Sequence, residues 1–169
     1  MTSRILGTVS VAALLLTLAG AQEHPAFVEW PFVGGDQGNA RFSPAETLTP
    51  DNVDQLEVAW TWRPEDRPRQ EYGTVPGNFT STPIMIDDTV YVSSNYNRVA
   101  ALDAETGKVL WKVKQGDIKK GQTITMVPLV VRDKVITGVS GGEFGVRGFV
   151  TANNVNTGEQ VWRAYSTGP

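Results

Sequence analysis

Cysteine is absent from all 169 residues. That excludes a disulfide framework, a thiolate metal site, a cysteine nucleophile and a lipid-modified cysteine anchor. Histidine is nearly absent: His24 stands alone, so neither a histidine-based triad nor a multi-histidine zinc site can be assembled. An excess of positive charge is lacking too. Lys and Arg number 15 against 18 Asp and Glu, for a net charge of −3. The short basic clusters Lys119-Lys120 and Arg67-Pro68-Arg69 read as solvated turns. With no basic stripe to neutralise phosphates, no nucleic-acid partner is expected. The longest apolar stretch, Ile5 to Leu18, is too short for a convincing membrane span.

That stretch has another use. Arg4 supplies a positive start, the apolar run follows, and Ala19-Gly20-Ala21 offers small residues before the polar Gln22-Glu23-His24. This order predicts a signal peptide, residues 1–21, with a retained signal anchor as the alternative. The mature chain, 22–169, is then expected in the periplasm or secreted, with no stable membrane span after cleavage.

What the chain does contain is turns and short apolar runs, with 17 Gly and 10 Pro. These favour strands over long helices. Residues 22–52 form a turn-rich lead-in. Gln55 to Arg63 alternates Leu56, Val58, Trp60 and Trp62 with mostly polar neighbours, and that period of two predicts a strand with one buried face. A loop rich in Pro, Gly and charge follows, Pro64 to Gly77.

The remainder holds an internal repeat. One copy runs TPIMIDDTVYVSS then RVAALDAETGKVLWKV; the other runs VPLVVRDKVITGVS then GFVTANNVNTGEQVWRAY. Pro83 matches Pro128, Thr106-Gly107 matches Thr157-Gly158, and Trp111 matches Trp162. Each copy predicts four short strands whose last hairpin closes at Thr-Gly. There an Asp or Asn side chain bonds the turn backbone and Gly takes the positive φ. The Trp four residues on is suited to packing between adjacent sheets, so both are expected to be buried. Four-stranded units at this period predict a β-propeller. A β-sandwich is the competing all-β arrangement, and it leaves the recurrent Ala-x-(Asp/Asn)-x-x-Thr-Gly-x-x-x-Trp unexplained. The second copy carries an extra run, Gly141 to Gly148. Asn153 takes a core-facing position in place of Leu102, which costs stability unless it is hydrogen-bonded.

Three further stretches carry a family resemblance. These are Gly38-Asn39-Ala40-Arg41-Phe42-Ser43-Pro44 with Leu48 to Val53, then Ser140 to Gly148, then Trp162 to Pro169. With the repeat, the chain resembles the pyrroloquinoline quinone (PQQ)-dependent methanol and alcohol dehydrogenases, the quinoproteins. The resemblance implies an all-β fold, about two to three blades of an eight-bladed propeller. It implies that Thr125, Ser140, Gly141 and Gly142 contact PQQ, and that Glu143 binds calcium or a lanthanide. A carboxylate suits such a hard cation. Arg147 reads as structural, bonding backbone carbonyls. The family's substrate is a small alcohol, and its electrons pass to a c-type cytochrome.

Some departures bear on activity. The family's catalytic aspartate, its metal-binding asparagine and a basic residue near the quinone find no counterpart here, so no catalytic residue is assigned. A blade's worth of chain, often with a vicinal cysteine pair and a cofactor-facing arginine, is missing between the Arg98-Val99 and Gly116-Asp117 types of segment. Thr80 stands near where many relatives have a glutamate. The chain therefore reads as an N-terminal portion of the enzyme, inactive alone. Alternatives are a non-catalytic propeller scaffold for protein interaction and the product of a truncated gene.

Overall fold

The computed structural model describes residues 28–79 and 81–168. The leader residues 1–21, His24 and Thr80 lie outside the described residues.

The repeat becomes two four-stranded sheets, each strand paired antiparallel with the next in sequence. The first holds β1 (Ile84–Ile86), β2 (Thr89–Ser93), β3 (Arg98–Asp103) and β4 (Val109–Lys114). The second holds β5 (Leu129–Val131), β6 (Lys134–Val139), β7 (Phe149–Asn154) and β8 (Gln160–Tyr165). Both sheets carry a register shift at the same place in the repeat, after Ala101 and after Ala152. The turns follow the expected chemistry. Asp87 and Asp88 both take positive φ between β1 and β2, and Gly107 and Gly158 do so in the last hairpins. Asp103 Oδ1 accepts from Thr106 N at 2.7 Å, and Asn154 Oδ1 from Thr157 N at 3.1 Å.

The main core lies between the sheets. Ile84, Tyr91, Val99, Ala101 and Trp111 from the first meet Val135, Val139 and Phe149 from the second, with Ile124 from the connection. Trp111 locks them together. It is 7% exposed, and its indole N–H donates to Val155 O at 2.8 Å. Its ring lies over Gly158, where a Cβ would come within 2.7 Å of Trp111 Cε3. Glycine serves that position twice over, for its φ and for the ring above it.

Asn153 is buried without penalty. Its Oδ1 accepts from Gln115 Nε2 at 2.5 Å, its Nδ2 donates to Gly158 O at 2.7 Å, and Thr151 Oγ1 donates to Gln115 Oε1. The second copy thus exchanges an apolar contact for a satisfied polar network across the two sheets.

Two expectations need correction. The segment Gln55 to Arg63 is not a paired strand: after a 3₁₀ turn at Val53–Gln55 it has no ladder partner among the described residues. Leu56 and Val58 are exposed, Val58 by 82%. Alternation is only half of what makes a strand; the other half is a neighbour to receive its N–H and C=O groups. Trp60 and Trp62 do bury part of their rings, on the outer face of the first sheet against Val90, Val92, Ala100 and Leu102. Trp60 Nε1 donates to Ala104 O at 3.0 Å, and its ring covers Gly107. These are the contacts of Trp111 one repeat earlier: each Trp reaches a carbonyl 44 residues ahead. Trp60, Trp111 and Trp162 recur every 51 residues.

The second correction is Trp162, which is 40% exposed rather than buried. No third sheet among the described residues offers it a carbonyl and a glycine. All of β8 is exposed, Val161 and Tyr165 included.

Candidate cofactor cleft

Because both sheets are antiparallel meanders, the connections β2–β3, β4–β5 and β6–β7 all leave at one end. At that end lies an open cleft of about 510 Å³, lined by Thr125, Ser140 and Gly142 with Met126, Val146 and Arg147 among others. Three of the five sequence-predicted site residues therefore meet in one place.

Backbone pairing brings them together. Thr123 and Ser140 exchange both N–H to O bonds, at 3.0 and 2.9 Å, which clips the β4–β5 connection onto the end of β6. Thr125, two residues on, then lines the same cleft as Ser140. Both are exposed. Ser140 Oγ makes only a long 3.4 Å contact to Thr123 O, leaving its hydroxyl free to meet a ligand.

Gly141 is buried behind this edge at φ 137°. A Cβ there would come within 2.3 Å of Gly121 O, a backbone atom that cannot swing aside. Glycine is required on both counts. The chain then makes a 3₁₀ turn at Gly142–Phe144, with Phe144 N and Val146 N both donating to Gly141 O. Phe144 packs over Gly121, tying the loop to the β4–β5 connection. By contrast, a Cβ at Gly142 would meet nothing within 4 Å. Its smoothness faces the open cleft.

Glu143 sits in that turn, exposed, and does not line the cleft. No group of three His, Cys, Asp or Glu side chains is placed to share a metal ion among the described residues. A hard cation wants six to eight oxygens, so Glu143 is a single donor here. Arg147 is structural, as expected: its guanidinium donates through Nε and Nη2 to Thr167 O and lies 4.3 Å from the Tyr165 ring centroid. Ser166 and Thr167 also line the cleft, brought there by the Ser166 bonds to Gly148 O. Sequence reasoning missed them. Met126 was missed as well, though its Sδ accepts from Gly138 N at 2.8 Å and floors the cleft.

The hydroxyl and glycine set fits a PQQ-sized polar ligand on an otherwise apolar wall. The metal part is represented by one carboxylate.

The profile described as "Glucose/ethanol/alcohol dehydrogenase, beta-propeller domain" (PQQ) matches residues 30–126, more than half of the chain. The chain belongs to the PQQ-dependent dehydrogenase family. The quinoprotein β-propeller fold expected from the repeat is therefore the fold of this chain. The lanthanide-dependent methanol dehydrogenase of Methylacidiphilum fumariolicum is 32% identical over 219 residues, covering 98% of this chain and 34% of that protein. Methanol dehydrogenase (cytochrome c) subunit 1 of Methylorubrum extorquens is 66% identical over 71 residues, 42% of this chain and 11% of that one. Among solved structures, a europium-containing methanol dehydrogenase matches with a TM-score of 0.53 at 31% identity, over 84% of this chain and 32% of that one. The quinoprotein chain thus spans about a third of the first relative's length. An alignment of 219 positions that uses 98% of 169 residues also leaves about fifty positions that the relative fills and this chain does not. No described helix is long and apolar enough to cross a membrane.

Proposed function

We propose that this chain is the N-terminal, cofactor-cradling portion of a periplasmic PQQ-dependent alcohol dehydrogenase, one that oxidises small alcohols and passes electrons to a c-type cytochrome. The observation that carries this is the convergence of Thr125, Ser140 and Gly142 on one cleft, on a loop that Gly141 alone can close. The names of the relatives, methanol dehydrogenases that are lanthanide-dependent or cytochrome c-linked, supply the reaction class. Residues 1–21 act as the export signal, and 22–169 form the propeller portion.

When bound, PQQ with its calcium or lanthanide ion supplies the electron acceptor for the alcohol's hydride. The chain's own contribution is placement. Thr125 and Ser140 would donate hydroxyl hydrogen bonds, Gly142 would leave the cleft wall open to close approach, and Gly141 lets the loop close behind it. Glu143, on the turn that begins at Gly142, would provide one carboxylate to the ion. Among the described residues no Asp, Glu or His lines the cleft.

The test is dye-linked alcohol oxidation by the purified 169-residue chain given PQQ and calcium or europium, beside a chain extended with downstream blades of the family. The expected result is no turnover by the former and turnover by the latter, which Glu143→Ala then abolishes or cuts by orders of magnitude. Robust turnover by the 169-residue chain alone would mean the base lies elsewhere than argued. Metal dependence unchanged by Glu143→Ala would remove Glu143 from the site.

A further inference from the structure

The basic clusters that read as solvated turns do not stay apart. Arg69, from the loop after Trp62, and Lys119, from the turn after β4, line one pocket of about 270 Å³ with Arg98 and Lys114 from the ends of β3 and β4. Tyr72 and Tyr96 complete its wall. It opens on the same end of the sheets as the cofactor cleft but shares no lining residue with it.

Among the described residues, four cations line this pocket against one carboxylate, Asp117. Charges nearby are unevenly spent. Arg98 is held by Asp66, a carboxylate only 4% exposed that also accepts from Tyr96 N at 2.9 Å. That pair is structural. Asp117 is 3.8 Å from Lys114 and also accepts from Lys119 N. Arg69 and Glu71 are 3.7 Å apart on exposed side chains, a contact worth little in water. Lys119 has no carboxylate in ion-pair contact among the described residues; its ammonium rests 4.5 Å from the Tyr72 ring centroid. Behind the wall, Thr74 takes Arg69 N and Tyr96 OH on its carbonyl, while its buried Oγ1 has no partner. Weakly partnered cations on two separate segments, converging on one pocket with a single carboxylate, are the makings of an oxyanion seat.

We infer that this pocket binds a small oxyanion of phosphate size, gripped by Arg69 and Lys119. Ligation there joins the loop at 69–72 to the turn at 118–120, two segments otherwise held together by a ring contact. That turn neighbours Gly121, on which Phe144 of the cleft loop packs, so an occupied pocket also steadies the cleft edge.

The experiment is calorimetric titration of the full chain with inorganic phosphate at low ionic strength. Saturable binding is expected, with a dissociation constant of about 1 mM or below. Arg69→Gln and Lys119→Gln should each weaken it about tenfold or more, the scale of one lost charge-assisted hydrogen bond. Lys108→Gln, at the opposite end of β4, should leave it unchanged. Both test side chains are exposed, and circular dichroism of each variant verifies that the fold is kept. Non-saturable heats in the parent chain, or Arg69→Gln and Lys119→Gln variants that bind as the parent does, would overturn the assignment.

Discussion

Asp103 and Asn154 hold equivalent positions and bond equivalent turns, yet only one of them titrates. The hydrogen bond from the Thr106 hydroxyl, with the Thr106 backbone N–H, holds the Asp103 carboxyl below its usual value. A depressed folded value means that the contribution is present above the unfolded value near 4 and is lost as pH falls through the folded one. Asn154 has no such dependence. Amide exchange at Gly107, which donates to Asp103 O, should therefore accelerate on acidification more than at Gly158, which donates to Asn154 O. Replacing Asp103 with Asn should flatten the difference, as read by NMR exchange rates corrected for intrinsic pH dependence. Equal pH responses in the parent chain would show that the side chain does not govern the turn.

Among elements, the paired tryptophans separate two situations that sequence alone makes identical. Trp111 lies in a laddered strand and cannot retreat from Gly158. Trp60 rides an unpaired segment and can move away from Gly107. Gly158→Ala should then cost about 2 kcal/mol or more, from its positive φ and the clash together, and Gly107→Ala distinctly less. Trp111→Ala should cost about 3 kcal/mol or more. Urea unfolding curves for the three variants decide this, and a Gly107→Ala cost equal to that of Gly158→Ala would contradict the distinction. The contrast also shows what was legible beforehand. The hairpins, the four-strand repeat and the Thr-Gly closure depend on neighbours within a few residues, so Asp103, Gly107, Asn154 and Gly158 announce them. Whether Gln55 to Arg63 finds a ladder partner depends on chain far away, and period-two alternation carries no such information. The cleft was legible through the family resemblance, which marked Thr125, Ser140 and Gly142. Met126, Ser166 and Thr167 reach it through tertiary placement, and nothing in their local sequence marks them.

For the molecule as a whole, the asymmetry lies between its two ends. The first sheet has its outer face partly covered by Trp60 and Trp62, whereas β8 leaves Val161, Trp162 and Tyr165 in solvent. Exposed aromatic and β-branched side chains on an edge strand invite association with another chain. The purified chain should self-associate as concentration rises, and Trp162→Lys should reduce that in sedimentation velocity while leaving the unfolding midpoint nearly unchanged. A concentration-independent monomer would show that this edge is protected in some other way. The basic pocket shows how far charge counting reaches: a net charge of −3 concealed four cations converging on one spot. Loop closure, not composition, brought Arg69 to Lys119.

The Trp60 and Trp111 indoles each take a carbonyl 44 residues ahead, and Trp60, Trp111 and Trp162 come 51 residues apart. Chain length in such a protein is therefore quantised. An insertion or loss of one full period moves every later indole onto the next carbonyl and glycine, and the joints re-form with the same atoms. A change of half a period would leave a ring facing a side chain on every joint downstream. The positions unmatched against the methanol dehydrogenase of Methylacidiphilum fumariolicum total about fifty, close to one such quantum. By this packing, the Trp joints tolerate changes of whole steps, and intermediate lengths would break them.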